Sequence, residues 1–211
     1  MNKKIFSTKK LVLTALLGAI AAILMAFGEF ATPITPSFIK MDLSELPIII
    51  GTYIMGPVEG VIIAAIKILI KLIIKPTSTA YVGELANFLL SVCYILPAAL
   101  VYHFKKGKTG AALSLAAGTV FTSFFAVFMN ALFIFPFYSK FYGMPIEVIV
   151  GMGTEINSHI TSLWSMMWIS ILPFNLLKFG VVSVITFFVY KRIKRVIFGM
   201  QDMLDTAPER G

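Results

Sequence analysis

The sequence predicts an all-α integral membrane bundle of six transmembrane helices, with a short second helix and both termini cytoplasmic. Three observations predict it: long apolar runs, short basic clusters that punctuate them, and a Gly56-Pro57 step that divides one run in two. With 58% hydrophobic and 13% charged residues, and a mean hydropathy of +0.91, there is too little polar surface to coat a water-soluble globule. The net charge of +8 gathers between apolar runs, which is the footprint of the positive-inside rule and not of a nucleic-acid surface. Cys93 is the only cysteine and His103 and His159 the only histidines, so no internal disulfide and no typical zinc site is expected. The expected metal, cofactor and catalytic inventory is none.

Lys3, Lys4, Lys9 and Lys10 precede an apolar run over residues 11–27. This resembles a secretory signal, but no A-x-A-like cleavage site follows, and the length suits a retained first span running from inside to outside. Further apolar runs cover residues 46–74, 81–103, 110–137 and 163–190. Counting 46–74 as one span would put Lys105, Lys106 and Lys108 outside, against the rule the amino terminus obeys. Two segments restore the parity: a short helix over 46–55, then a turn at Gly56-Pro57 and a return from Val58. Glu59 then falls in the first helical turn, where a carboxylate favours the dipole. Lys191, Arg192, Lys194 and Arg195 close the last span inside. The outer connections are 29–45, 75–80 and 138–162. Residues 1–198 form one membrane domain with no internal repeat, and 199–211 a polar, mobile tail.

Polar side chains within spans are costly unless they face other helices or a cavity, so they are functional candidates. At about 1.5 Å rise per residue, Asn87, Asn130 and Asn175 each lie about 9–10 Å below the outer end of their helix. Glu84 precedes Asn87 by three residues and Lys178 follows Asn175 by three, so each pair shares a helix face. A single intramembrane amide often serves only to bond a neighbouring helix, but packing alone does not demand one level. The set reads as a site open to the outside, suited to a neutral polar ligand, because an amide offers two donors and an acceptor. Lys67, Lys71 and Lys75 recur every four residues as one stripe. Two of them can snorkel, whereas the deepest, Lys67, calls for a carboxylate, with Asp42 or Glu45 nearest in sequence; a snorkelling Lys67 is the alternative. The segment Lys40–Pro47 suits a lid carrying Asp42, Ser44 and Glu45, with Ser44 also placed to cap the short helix. On the first helix, Ala15 and Ala19, with Gly18 and Ala22, give small-xxx-small spacings that let another helix approach, inside the bundle or from a partner. Trp164, Trp168 and Tyr138 are placed as interfacial aromatics.

Two apparent motifs fail. Gly107-Lys108-Thr109 lacks the earlier glycine of a phosphate-binding loop, since Tyr102 stands there, and Gly151-Met152-Gly153 lacks the third glycine of a dinucleotide fingerprint. With no ATPase of its own, uphill transport needs a partner or an ion gradient.

Four segments carry a more specific resemblance: MDLSELPIIIGTYIMGPVEG at 41–60, GELANF at 83–88, MNALFIFPFY at 129–138 and ILPFNLLK at 171–178. Together they resemble the riboflavin-specific substrate-binding (S) components of energy-coupling factor (ECF) transporters, over nearly all six helices. The resemblance implies capture of riboflavin from outside, with other flavins as further candidates, in the plasma membrane of a bacterium. It implies flavin contacts from Asn130, Asn175 and Lys178, to which the reading above adds Asp42, Glu84 and Asn87, with Lys40, Glu45 and Lys67 as lid or ion-pair residues. It also implies docking of Ala15 and Ala19 on a transmembrane T subunit driven by two cytoplasmic ATPases, after which the loaded S component topples. Riboflavin's dione edge, polyol and flat ring suit amides and apolar walls. Other uncharged vitamins suit them as well, so riboflavin follows from the resemblance. Two other classes use the same chain differently: a membrane enzyme with Glu84, Lys178 and His159 as acid–base groups, or a channel or ion-coupled carrier.

Overall fold

The computed structural model describes residues 8–36, 39–77 and 79–205. Helix α1 (Thr8–Gly28) has 21 residues, about 31 Å, matching a hydrocarbon core of about 30 Å. The chain then turns through two short antiparallel strands, β1 (Phe30–Ala31) and β2 (Lys40–Met41), paired Phe30 to Met41. Helix α2 (Glu45–Met55) has only 11 residues, about 16 Å, roughly half of that core. Gly56 ends it with φ 116° and ψ 173°, a conformation open to glycine and strained for other residues. Pro57 then takes the first position of α3 (Pro57–Ile74), where its missing N–H costs nothing. The Gly56-Pro57 break thus falls where the sequence places it.

Helix α4 (Val82–Phe104) follows, and α5 (Lys108–Met129) continues through a π-helical turn (Asn130–Ile134) into α6 (Phe135–Tyr142). Helix α7 (Ile146–Thr154) occupies the middle of what reads in sequence as a long connection, because Pro145 starts a short apolar turn-forming stretch. Helix α8 (Leu163–Met166) opens with a capping box in which Ser162 and Ser165 satisfy each other's backbone N–H groups. A second π-helical turn (Met167–Ile171) leads into α9 (Leu172–Asp205). The backbone remains helical to Asp205, past residue 198, and residues 206–211 of the expected tail lie outside the described residues. So do Lys3 and Lys4.

Four stretches among the described residues are long and apolar enough to cross a membrane: Thr8–Gly28, Val82–Phe104, Lys108–Tyr142 and Leu163–Tyr190. Helix α3 has 18 residues but carries Glu59, Lys67 and Lys71. The long helices expose many large apolar side chains, Leu16, Ile23, Leu100, Phe121 and Phe188 among them, which lipid covers and water would not.

Inside, two apolar clusters stack along the bundle. One joins Ile48 and Tyr53 of α2 to Ile63, Tyr94, Leu115, Phe179 and Val182. The other joins Ala126, Ala131 and Phe135 to Ile149, Ile160, Met166 and Ile171. Helix α2 packs on α1, α3, α4 and α9, so the shortest helix is central to the first cluster. Hydroxyl pairs stitch that cluster: Tyr53 Oη to Ser114 Oγ at 2.6 Å, Tyr94 Oη to Ser183 Oγ at 2.8 Å, and Tyr102 Oη to Tyr190 Oη at 2.9 Å. Each satisfies a polar group that lipid cannot.

The small residues of α1 divide between two faces. Gly18 and Ala22 are buried, and a Cβ built on Gly18 would lie 2.5 Å from Ile66 Cγ2 of α3. Ala15 is exposed and Ala19 half-buried. The spacing therefore serves internal packing, with Gly18 against α3 and Ala22 buried, and Ala15 and Ala19 face away. Gly18→Val is expected to overpack this contact at a cost of about 1–3 kcal/mol, lowering the unfolding midpoint in detergent, while Ala15→Val leaves it nearly unchanged. Equal shifts in the two variants would contradict the division of faces.

Candidate functional site

Between the two apolar clusters lies a layer of polar side chains. On α9, Asn175 and Lys178 fall between Ile171 of one cluster and Phe179 of the other; on α5, Thr122 and Ser123 fall between Leu115 and Ala126. The connection between α1 and α2 reaches into this layer. Lys178 Nζ donates to Asp42 Oδ2 at 2.9 Å, with both residues buried. The Ser44 N–H donates to the other Asp42 oxygen at 2.8 Å. Burial pushes the Asp42 carboxyl up, but the Lys178 and Lys67 charges, with hydrogen bonds from Ser44 and Lys178, outweigh it and lower its pKa from 3.8 to about 2. The carboxylate therefore remains ionised at neutral pH.

The Lys67 ammonium is fully buried, and its three N–H donors are shared among Glu45 Oε1 at 2.7 Å, Asn87 Oδ1 at 2.7 Å, Ser91 Oγ at 3.0 Å and, as the longest, Ser44 Oγ at 3.3 Å. Ser91 Oγ also donates to Glu45 Oε1 at 2.7 Å. Ser44 thus joins two ion pairs into one network running from α9 through the α1–α2 connection to α2, α3 and α4. Of the two partners expected for Lys67, the structure selects Glu45 and gives Asp42 to Lys178. The side chain of Ser44 does not cap α2; its hydroxyl is taken by Lys67, because a buried ammonium gains more from the acceptor than a helix end does.

A second network lies along the same stripe. Lys71 Nζ meets Glu84 Oε1 at 2.5 Å, and the Thr77 and Thr79 hydroxyls both donate to Glu84 Oε2 at 2.9 Å. Lys71 is buried, so it does not snorkel: Glu84 supplies a closer partner than the membrane surface. Thr77 and Thr79 also accept N–H bonds from Tyr81 and Gly83, which hold Ala80 and Tyr81 at positive φ. Lys75 and Lys40, both substantially exposed, share Glu29. Burial raises the Glu29 pKa, but hydrogen bonds from Lys75 and Lys40 outweigh it and the net direction is down. The lysine stripe thus grades from a fully buried pair at Lys67 to an exposed one at Lys75.

Asn130 opens the first π-helical turn, and Asn175 lies one helical turn past the end of the second. Each amide nitrogen donates at 2.8 Å to the carbonyl four residues earlier, Ala126 O and Ile171 O respectively. That leaves each amide oxygen as the group that can accept from a ligand N–H. A π-helical turn inserts an extra residue and re-aims the face that follows it, and such turns concentrate at functional sites. The second also anchors the α1–α2 connection, since Ser170 Oγ donates to Ile34 O at 2.5 Å.

Not all of the sequence candidates converge. Glu84 and Asn87 share a face but serve different lysines. The acid–base trio of Glu84, Lys178 and His159 is divided, with Lys178 on Asp42, Glu84 on Lys71, and the exposed His159 on Asn157 Oδ1 at 3.0 Å. Gly107-Lys108-Thr109 begins α5 after a helix, and Gly151-Met152-Gly153 lies within α7. No group of three or more His, Cys, Asp or Glu arranged to hold a metal occurs among the described residues. Thr77, Thr79, Ser91 and Ser170 complete the networks without a signal in the sequence, because serine and threonine hydroxyls usually serve the local backbone, and Glu29 joins them as the rim acceptor of Lys40 and Lys75.

A family model described as ECF transporter, substrate-specific component, matches residues 9–190. The chain belongs to this family. Among curated relatives, "Riboflavin transporter FmnP" of Bacillus subtilis (strain 168) is 31% identical over 88% of this chain and 92% of that protein. "Riboflavin transporter RibU" of Staphylococcus aureus (strain TCH60) is 26% identical over 88% and 90%. A solved structure described as the S component of a bacterial ECF transporter superposes with a TM-score of 0.69 at 27% identity, covering 90% of this chain and 97% of that one. Family membership and the four apolar spans together make this substrate-specific component a multi-pass membrane protein, and the relatives are named as transporters.

Within this S component the Lys67–Glu45 pair should matter far more than the rim pair. Lys67→Met leaves a buried carboxylate unpaired and is expected to cost about 3–5 kcal/mol. Lys75→Met, at an exposed pair, is expected to cost less than about 1 kcal/mol. Unfolding midpoints in detergent measure both, and equal losses would contradict the graded stripe.

Proposed function

We propose that this chain captures riboflavin with high affinity as the substrate-binding subunit of an ECF transporter. The observation that carries the reading is the buried polar layer closed by Asp42–Lys178, beside Asn130 and Asn175. A flavin's dione edge presents an imide N–H between two carbonyls. The asparagine oxygens suit the N–H, and the remaining Lys178 protons suit a carbonyl. Apolar side chains of the flanking clusters suit the faces of the flat ring. Family membership and the relatives named as riboflavin transporters support the ligand.

In this reading α1, α2, α3, α4, the α5–α6 rod and the α8–α9 rod make six transmembrane passages, with α2 the short one and both termini cytoplasmic. The α1–α2 connection is then an outer lid carrying Lys40, Asp42 and Glu45, and the site residues are Asp42, Glu84, Asn87, Asn130, Asn175 and Lys178. The exposed Ala15 and half-buried Ala19 form a shallow face on which a transmembrane T subunit docks, with two cytoplasmic ATPases supplying energy in the plasma membrane of a bacterium. Other flavins that share the ring are candidate ligands, and no cofactor is required.

Asn175→Ala or Lys178→Ala is expected to weaken riboflavin binding about tenfold or more, because a buried polar group left unpaired costs about 1–3 kcal/mol. The lipid-facing Leu100→Ala, 60% exposed in the wild type, is the control and is expected to bind normally. Quenching of riboflavin fluorescence by the purified protein measures all three; equal affinities would rule out the site assignment.

A further inference from the structure

Two buried side-chain atoms among the described residues have no hydrogen-bond partner, Glu45 Oε2 and Thr122 Oγ1. They are not equivalent. Thr122 carries a neutral hydroxyl, whereas Glu45 is a carboxylate in an ion pair, and an unmet acceptor on a charged group costs more than one on a neutral group. Every other oxygen of the two carboxylates that close the network is occupied. Asp42 Oδ1 accepts from Ser44 and Oδ2 from Lys178, while Glu45 Oε1 accepts from both Lys67 and Ser91. Glu45 is 1% exposed. Its second oxygen is therefore fixed in place by neighbours on α3 and α4, withdrawn from solvent, and suited only to a donor.

The same network says which donor. It runs from Lys178 through Asp42 and Ser44 to Lys67 and Glu45, so Glu45 belongs to the layer that holds Asn175 and Lys178. On the α5 and α9 side the fixed groups are amide oxygens and an ammonium, complementary to a dione with one N–H. That edge uses the ring's only N–H. The donors a riboflavin molecule has left are the four hydroxyls of its polyol.

We propose that Glu45 Oε2 is a second subsite of the ligand pocket, accepting a polyol hydroxyl. The assignment rests on the riboflavin reading and goes beyond it by giving ring and tail separate partners. Lys67, Asn87 and Ser91 act as positioning residues: they hold the Glu45 carboxylate in one orientation, with Oε1 saturated and Oε2 presented. A charge-assisted O–H bond to a pre-oriented carboxylate is short and strong, and the carboxylate's own ordering cost is met before binding. A ligand with the same ring and no donor on its tail forfeits this bond. The subsite thus makes the polyol, and not the ring alone, a determinant of selection.

The test compares riboflavin with lumiflavin, which has the same ring system and a methyl group in place of the polyol, on full-length protein in detergent. Glu45→Gln keeps the shape and removes the charge. It is expected to weaken riboflavin about tenfold or more beyond whatever it costs lumiflavin, the equivalent of about 1.4 kcal/mol, because only riboflavin loses a direct bond to the carboxylate. Retained lumiflavin binding shows in the same titration that the site is folded. A parallel loss for both flavins, or unchanged affinity for both, overturns the subsite; the second result would mean that water satisfies Oε2. Should Glu45→Gln fail to fold, Glu45→Gln/Lys67→Met removes both members of the pair and the same comparison applies, with selective loss of riboflavin supporting the subsite and any other pattern overturning it. If wild-type protein binds neither flavin, the riboflavin reading itself fails, and the subsite with it.

Discussion

The ion pair between Lys67 and Glu45 is the contact on which the rest of this end of the bundle depends. In the bilayer no water can solvate a charge, so an ammonium near the middle of α3 needs acceptors from its own protein. Four of them converge on Lys67, from Ser44, Glu45, Asn87 and Ser91. They come from the α1–α2 connection, α2 and α4, so meeting one cation's demand fixes the relative placement of three elements. Asp42 and Lys178 extend the constraint to α9. The polar layer is then set between two apolar clusters, and the surface it presents to a ligand is already ordered before binding, which lowers the cost of recognition.

The break at Gly56-Pro57 serves the same layer. By ending α2 after 11 residues, it sends α3 back along the bundle and leaves the start of α2, with Glu45, at the depth of Lys67. A full-length second helix would carry that carboxylate away from its partner. Gly60, whose Cβ would fall 2.1 Å from Thr52 Oγ1, allows α2 and α3 to lie close after the turn. The two π-helical turns do comparable work on the rods of α5 and α9, with Asn130 opening the first and Asn175 following the second by four residues.

Much of this was legible in the sequence because charge in an apolar run is expensive and glycine-proline steps have few structural uses. The split of residues 46–74, the carboxylate partner of Lys67 and the α9 face shared by Asn175 and Lys178 all follow from those two facts. What could not be read is partner choice. Asp42 and Glu45 are three residues apart and either could reach Lys67; only the packing of α9 assigns Asp42 to Lys178. Spacing alone also could not separate the inward Gly18 and Ala22 from the outward Ala15 and Ala19, since all four satisfy the same rule. Lys71 escapes the snorkelling rule because Glu84, at the start of α4, accepts from it while the Thr77 and Thr79 hydroxyls donate to the other Glu84 oxygen and hold the carboxylate in place. Helix α7 and the π-helical turns left no periodic signal strong enough to place them.

The central claim is that buried charge pairs, and not the apolar contacts of Ile39, Met41 and Leu43 alone, close the α1–α2 connection onto the helices. Hydrogen exchange of the amides in residues 39–44 tests it most directly, in wild-type protein, in Lys178→Met and in Asp42→Asn/Lys178→Met. Charge-pair closure requires exchange to accelerate about tenfold or more in the single variant, which strands Asp42, and to recover in the double variant, where no charge is left unpaired. Unchanged protection in Lys178→Met would contradict it, and would mean that the apolar neighbours of the connection hold it in place by themselves.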